Sequence, residues 1–130
     1  MDRLFLDANV LFSAAYREDA GFGAFWKQVL LLSSAYAVEE ARFNLHNDAQ
    51  RRRLAALVNG IEVISNISLG ALPDGVRLPE KDRPILLSAI QSRATHLITG
   101  DKVDFGRYFG RTIAGILILP PAAYLKDLRT

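Results

Sequence analysis

Three aspartates stand where this chain can do chemistry. Asp7 closes the apolar run Leu4-Phe5-Leu6. Asp101 follows His96-Leu97-Ile98 across a Thr99-Gly100 turn. Asp82 opens a segment with Ile85, Leu86, Ala89 and Ile90 at helical spacing, which leads into that second run. Short apolar runs read as buried strands, and the 3.6-residue period reads as a helix. In a parallel sheet the carboxyl ends of the strands share one edge, where ligands bind. Asp7, Asp82 and Asp101 are therefore expected on that edge. Clustered carboxylates raise one another's pKa unless a cation joins them. An all-oxygen cluster suits Mg²⁺ or Mn²⁺. Such a site commonly performs phosphoryl transfer, with the metal activating water and neutralising developing charge.

Each acid also has a plain structural reading. Asp7, and Asn9 two residues on, are both able to cap the helix that follows. Asp82 precedes Arg83-Pro84, a helix-opening pattern. Asp101 suits a turn after Gly100, and Asp104 suits a cap on the Phe105 to Phe109 segment. Glu39 and Glu40 are neighbours on one helix. Their side chains diverge by about 100°, so both do not enter one site. The apolar stripe of Val38, Ala41 and Leu45 does not choose between them.

The elements that position these residues alternate. After the Leu4 to Leu6 strand, Asn9 to Tyr16 reads as a short helix. Gly21 to Leu31 reads as a second helix, and a brief strand follows near Leu32 and Ser33. Ser34 caps a helix through Leu45, and Asn47 or Asp48 caps the next, which Gly60 closes. Ile61 to Ile64 reads as a strand, and Asn66 to Pro79 as an exposed, mobile loop. Asp82 to Arg93 is a helix and His96 to Ile98 a strand. Gly115 to Leu119 is the last strand, and Ala122 to Leu128 a closing helix. Alternation predicts a three-layer α/β/α sandwich with a mainly parallel sheet, the first strand central, in one domain over 1–130.

Composition sets bounds. The 130 residues suffice for one domain with a real core. With no cysteine, disulfides, thiolate zinc sites and cysteine nucleophiles are excluded. No run is apolar and long enough to span a membrane, and Met1-Asp2-Arg3 does not resemble a signal peptide, so a cytoplasmic location is expected. The net charge of +2 permits a nucleic-acid partner without arguing for one. Basic residues cluster at Arg51, Arg52 and Arg53, and at Lys102, Arg107 and Arg111, where the plain reading is a solvated face.

Four stretches together resemble the PIN-domain family of ribonucleases. They are Leu6-Asp7-Ala8-Asn9-Val10-Leu11-Phe12-Ser13-Ala14, Ala37-Val38-Glu39-Glu40-Ala41-Arg42-Phe43-Asn44-Leu45, Lys81-Asp82-Arg83-Pro84-Ile85-Leu86-Leu87-Ser88-Ala89 and His96-Leu97-Ile98-Thr99-Gly100-Asp101-Lys102-Val103-Asp104-Phe105. They occur in the family's order, from Leu4 to about Phe105, and the Gly115 to Leu125 tail is similar as well. The resemblance implies a Rossmann-like fold and Mg²⁺- or Mn²⁺-dependent RNA cleavage that leaves a 5′-phosphate and a 3′-hydroxyl. Many relatives are toxins of VapC-like toxin–antitoxin pairs and are commonly dimeric. By the resemblance Glu40 is selected over Glu39, because Leu45 stands five residues after it.

Under that reading the catalytic acids are Asp7, Glu40, Asp82 and Asp101. Asp7, Asp82 and Asp101 hold metal, with Asp104 an outer partner or alternate ligand, since some relatives place the last acid there. Glu40 completes a second site or orients water. Asn9, Thr99 and Ser13 are polar supports. Lys102, Arg107 and Arg51 to Arg53 meet the RNA backbone. The resemblance implies a homodimer, and the apolar Gly21 to Leu32 segment lies either deep in the core or at an interface; an antitoxin protein is a further partner the resemblance suggests. A haloacid-dehalogenase-type phosphatase needs a second Asp where Asn9 stands. A receiver domain needs an acidic pair where Asp7 stands alone. A catalytically silent PIN-like module binding RNA or protein is the third alternative.

Overall fold

The structure, a computed structural model, describes residues 1–18, 28–65 and 70–129. The elements run β1 (Arg3–Leu6), α1 (Ala8–Tyr16), β2 (Leu30–Ser34), α2 (Ala35–Asn44), α3 (Asp48–Val58) and β3 (Glu62–Ile64). A 3₁₀ turn at Glu80–Asp82 leads into α4 (Arg83–Gln91). Then come β4 (His96–Ile98), a 3₁₀ turn at Gly106–Tyr108, β5 (Thr112–Ile113), β6 (Ile116–Leu119) and α5 (Pro121–Arg129).

Among the described residues six strands form one sheet in the order β3-β2-β1-β4-β6-β5. Every pairing is parallel except β5 with β6. Helices cover the sheet in the α/β/α arrangement that the alternation predicts. The central strand is β1, whose Leu4, Phe5 and Leu6 are wholly buried, as are Leu97 and Ile98 of neighbouring β4. Side chains alternate between the faces of a strand, so three consecutive buried residues mean that both faces of β1 are covered.

The strand order reverses between β1 and β4. The chain first travels outward from β1 to β2 and β3, then returns to lay β4 on the other side of β1. This is the switch point at which α/β sheets open a crevice. Leu6 pairs with Ile98, so the two strands end level, and the Asp7 amide donates to the Ile98 carbonyl at 3.0 Å.

Local chemistry explains the helix starts. The Ser34 hydroxyl accepts the Ala37 amide at 3.1 Å and caps α2. Asn47, rather than Asp48, caps α3 by accepting the Gln50 amide at 2.9 Å. The Gln50 side chain reaches back to accept the His46 amide at 2.9 Å. Pro121 opens α5, where a missing N–H costs nothing.

Three expectations need correction. Leu30 and Leu31 belong to β2, not to a helix, and β2 lies inside the sheet between β1 and β3. Three leucines in succession suit a strand covered on both faces. The rest of the expected Gly21 to Leu31 helix, with Phe22, Phe25 and Trp26, lies largely outside the described residues. Secondly, β6 starts at Ile116, and Ala114 and Gly115 form the tight turn of a β5–β6 hairpin at φ 51° and 82°. Positive φ at both central positions is the type I′ signature. Thirdly, Asp104 caps nothing: the 3₁₀ turn at Gly106 starts from Phe105 without a side-chain cap. Of the expected Asn66 to Pro79 loop, 66–69 lie outside the described residues; 70–79 contain no helix or strand, though Leu78 is buried.

Candidate metal centre

A cleft of about 490 Å³ opens at the carboxyl ends of β1 and β4. Its walls include Asp7, Asn9, Glu40, Lys81, Asp82 and Asp101. Four acids from four separate stretches of the sequence thus face one space.

Asp7 is the most firmly held. Its Oδ1 accepts the Ala8 amide at 2.7 Å, so the capping role expected of it is real. Its Oδ2 accepts from the Thr99 hydroxyl at 2.8 Å and from Asn9 Nδ2 at 3.2 Å. Asn9 in turn accepts the Gly100 amide at 2.8 Å, tying the turn after β4 to the start of α1. Thr99 also accepts the Asp101 amide at 3.1 Å. Asn9 and Thr99 thus both hydrogen-bond the Asp7 carboxylate and each other. Burial pushes the Asp7 carboxyl up; the Thr99 and Ala8 hydrogen bonds oppose this, and the charges of Glu40 and Asp101 add to it.

Asp82 behaves unlike a cap. It occupies the N-cap position of α4, yet its side chain makes no capping bond. Pro84, in the first turn, offers no N–H to accept. Asp82 is only 7% exposed, and its Oδ2 is buried without a hydrogen-bond donor. A buried, unpaired carboxylate oxygen is costly. The carboxyl is pushed up to about 7, first by burial, then by the facing Asp104 carboxyl, with Lys81 opposing.

Asp82, Asp101 and Asp104 each offer an oxygen, and these atoms all lie within 4.8 Å of one another. One Asp101 oxygen accepts the Val103 and Asp104 amides at 3.1 and 3.0 Å, which fixes the turn. The Lys81 ammonium stands 3.5 Å from Asp104 and is, among the described residues, the one lysine or arginine along the cleft. A single ammonium does not balance these carboxylates. The orphaned Asp82 oxygen, the all-oxygen donor set and the excess negative charge fit a hard divalent cation. The tight trio joins Asp82 and Asp101 to Asp104, the alternate ligand of the expected set, and Asp7 faces the same cleft from a cradle of hydrogen bonds.

Glu39 and Glu40 separate as helical geometry requires. Glu39 is exposed and paired with Arg42, while Glu40 is half-buried and lines the cleft. Ser13 is exposed and is not among the lining residues. The basic run is partly structural. Arg53 donates to the Ala15 and Tyr16 carbonyls, each at 3.0 Å, and Arg51 to the Leu45 carbonyl at 3.0 Å. Both guanidiniums thereby satisfy carbonyls at the ends of α1 and α2. Arg52, Lys102 and Arg107 remain exposed.

No protein-family model matches the chain, and no curated protein matches it significantly. The likeness to PIN domains therefore rests on the four motifs.

Sequence reading missed Lys81 and Tyr36. The Tyr36 hydroxyl donates to the Lys81 carbonyl at 2.7 Å and so ties α2 to the turn before α4. Tyr36 lies one helical turn before Glu40, a spacing that was legible; its bond to Lys81 depends on how two distant segments pack.

Proposed function

We propose that the protein is a metal-dependent ribonuclease of PIN-like type. The observation that carries this reading is the convergence of Asp7, Glu40, Asp82 and Asp101 on one cleft at the switch point of a parallel sheet. The orphaned Asp82 oxygen beside Asp101 and Asp104 supports a cation there.

Asp82, Asp101 and Asp104 are the residues that would hold Mg²⁺ or Mn²⁺. A bound divalent ion of this kind supplies charge neutralisation and a more acidic water. The protein's own groups do the rest. Asp7, fixed by Thr99 and Asn9, turns an immobile carboxylate toward the cleft. Glu40, half-buried and without such bonds, is suited to orient the attacking water and accept its proton. Lys81 offers a positive charge to a phosphate oxygen. Among the cations expected to meet RNA, Arg52, Lys102 and Arg107 are exposed and would attract its backbone.

Asn9 weighs against the phosphatase alternative. That chemistry needs a second carboxylate at its position, whereas Asn9 uses both its amide nitrogen and its oxygen to brace Asp7, Thr99 and Gly100. A homodimer and a small antitoxin partner belong to the same proposal and rest on the family resemblance alone; β2, paired on both sides by β1 and β3, is not available as the dimer surface.

The test incubates single-stranded RNA with the protein in Mn²⁺, Mg²⁺ or EDTA and determines the product ends. Metal-dependent cleavage leaving a 5′-phosphate, abolished by Asp7→Asn in a folded variant, is expected. Metal binding without cleavage, in wild type, would favour the silent module.

A further inference from the structure

Asp104 belongs to two places at once. On one side it meets Asp82 and Asp101. On the other it lines a separate pocket of about 270 Å³ with Arg77, Leu78, Pro79, Val103 and Arg107. The acidic centre and a pocket with two arginines thus share one wall.

Tyr108, itself 5% exposed, braces the backbone at Arg77 and lies under Arg107. Its hydroxyl accepts the Arg77 amide at 2.8 Å and donates to the Arg77 carbonyl at 3.2 Å. Its ring lies beneath the Arg107 guanidinium, 5.9 Å from the centroid. One buried side chain, held in a 3₁₀ turn, therefore fixes the loop that carries Arg77 and stacks Arg107 beside it. Among the described residues neither arginine forms an ion pair, although Asp104 is at hand. Asp104 pairs instead with Lys81 and faces the other acids. Val103, 90% exposed, adds an apolar surface to the same pocket.

Two arginines that line one concave site, neither in an ion pair among the described residues, are suited to a phosphate, whose oxygens match planar guanidinium donors. We propose that this pocket is a phosphate subsite, gripping a backbone phosphate of single-stranded RNA that flanks the one at the acidic centre. This rests on the ribonuclease reading and adds to it the direction in which the strand leaves the cleft. The concave, mixed lining favours a flexible single strand, with Val103 against a ribose or base, over a duplex.

The experiment measures binding of a labelled oligouridylate of about eight nucleotides by fluorescence anisotropy. Ca²⁺ is present to neutralise the acidic centre, and salt is varied from about 50 to about 200 mM. The double variant Arg77→Gln, Arg107→Gln is compared with wild type. It is also compared with a charge-matched control, Arg17→Gln, Lys126→Gln, at the end of α1 and on α5. The subsite variant should bind roughly tenfold more weakly, with a log–log salt slope shallower by about 0.7, the loss of one phosphate contact on a single strand. The control should stay close to wild type. Equal weakening by both doubles, or an unchanged subsite variant, overturns the proposal, as does a wild type that does not bind. Cleavage in Mn²⁺ is scored separately. Cleavage with no arginine dependence of binding removes the subsite and leaves the nuclease. Arginine-dependent binding without cleavage removes the nuclease and leaves the subsite.

Discussion

Thr99 and Asp7 join β4 to β1 through one short hydrogen bond, the Thr99 hydroxyl donating to the carboxylate at 2.8 Å. The same oxygen accepts from the Asp101 amide and from Asn9 Nδ2. The proton of this hydroxyl is thereby committed to Asp7. Thr99→Val keeps the shape and removes the donor. It should cost about 1–3 kcal/mol, as a buried acceptor loses its partner, and should weaken Mn²⁺ binding by freeing the Asp101 turn. Urea denaturation and calorimetric metal titration measure the two effects. Thr99→Ser should recover most of both; a serine variant as impaired as valine would show that packing, not the donor, matters.

Asp82→Asn separates capping from metal binding. Asn caps as well as Asp, so a capping role predicts little change. The donorless Asp82 oxygen predicts instead that the metal-free variant melts higher than wild type by several degrees, about what 1–2 kcal/mol gives in a domain of this size. Mn²⁺ binding should fall at least tenfold, because a full charge leaves the trio.

The pH dependence has a definite sign. The Asp82 carboxyl is raised from 3.8 to about 7 in the folded chain. The folded state therefore favours its protonated form. The stability this brings is complete below the unfolded value and is lost as pH rises through about 7. Asp7 is shifted in the same direction and Asp104 in the opposite one. In EDTA, the melting-temperature advantage of Asp82→Asn over wild type should grow between about pH 5 and about pH 8. A constant advantage across that window would contradict burial of an unpaired carboxyl.

Metal should reverse that loss. A ligand that binds only the folded state at a hundredfold excess over its Kd stabilises by about 2.7 kcal/mol. Mn²⁺ should raise the melting temperature more at about pH 8 than at about pH 5, because protons compete for the same oxygens. Thermal scans with and without EDTA test this, and Asp101→Asn should blunt the shift.

Arg53→Met should destabilise by about 1–2 kcal/mol, since it frees two carbonyls at the end of α1. It should leave the salt dependence of RNA binding unchanged. A shallower slope would return Arg53 to the RNA surface.

Much of this site could be read along the chain because its main carriers are local. Asp7 and Asp101 follow runs too short and too apolar to be anything but buried strands, and parallel pairing brings their ends level. Glu40 separates from Glu39 by simple helical rotation, although the residues alone did not say which faced inward. Asp82 could be read as a ligand or as a cap because the sequence shows its position and not its partners. Only the fold reveals that Pro84 removes a donor and that Asp104 faces it. Arg51 to Arg53 looked like a solvated or RNA-facing run, since nothing local shows that two of them reach carbonyls of earlier helices. The β5–β6 hairpin escaped notice because Ala114-Gly115 is a weak turn signal and β5 is two residues long.

The reversal of strand order also governs when the protein acquires its site. Asp7 and Thr99 are 92 positions apart, and β4 takes its place beside β1 only after the chain has gone out to β3 and come back. Closing so long a loop is slow compared with forming any helix here. The acidic cleft therefore cannot form until β4 and the turn after it have been made. A nascent chain ending at Gln91 already carries Asp7, Glu40 and Asp82, yet has neither the strand nor the turn that completes the centre.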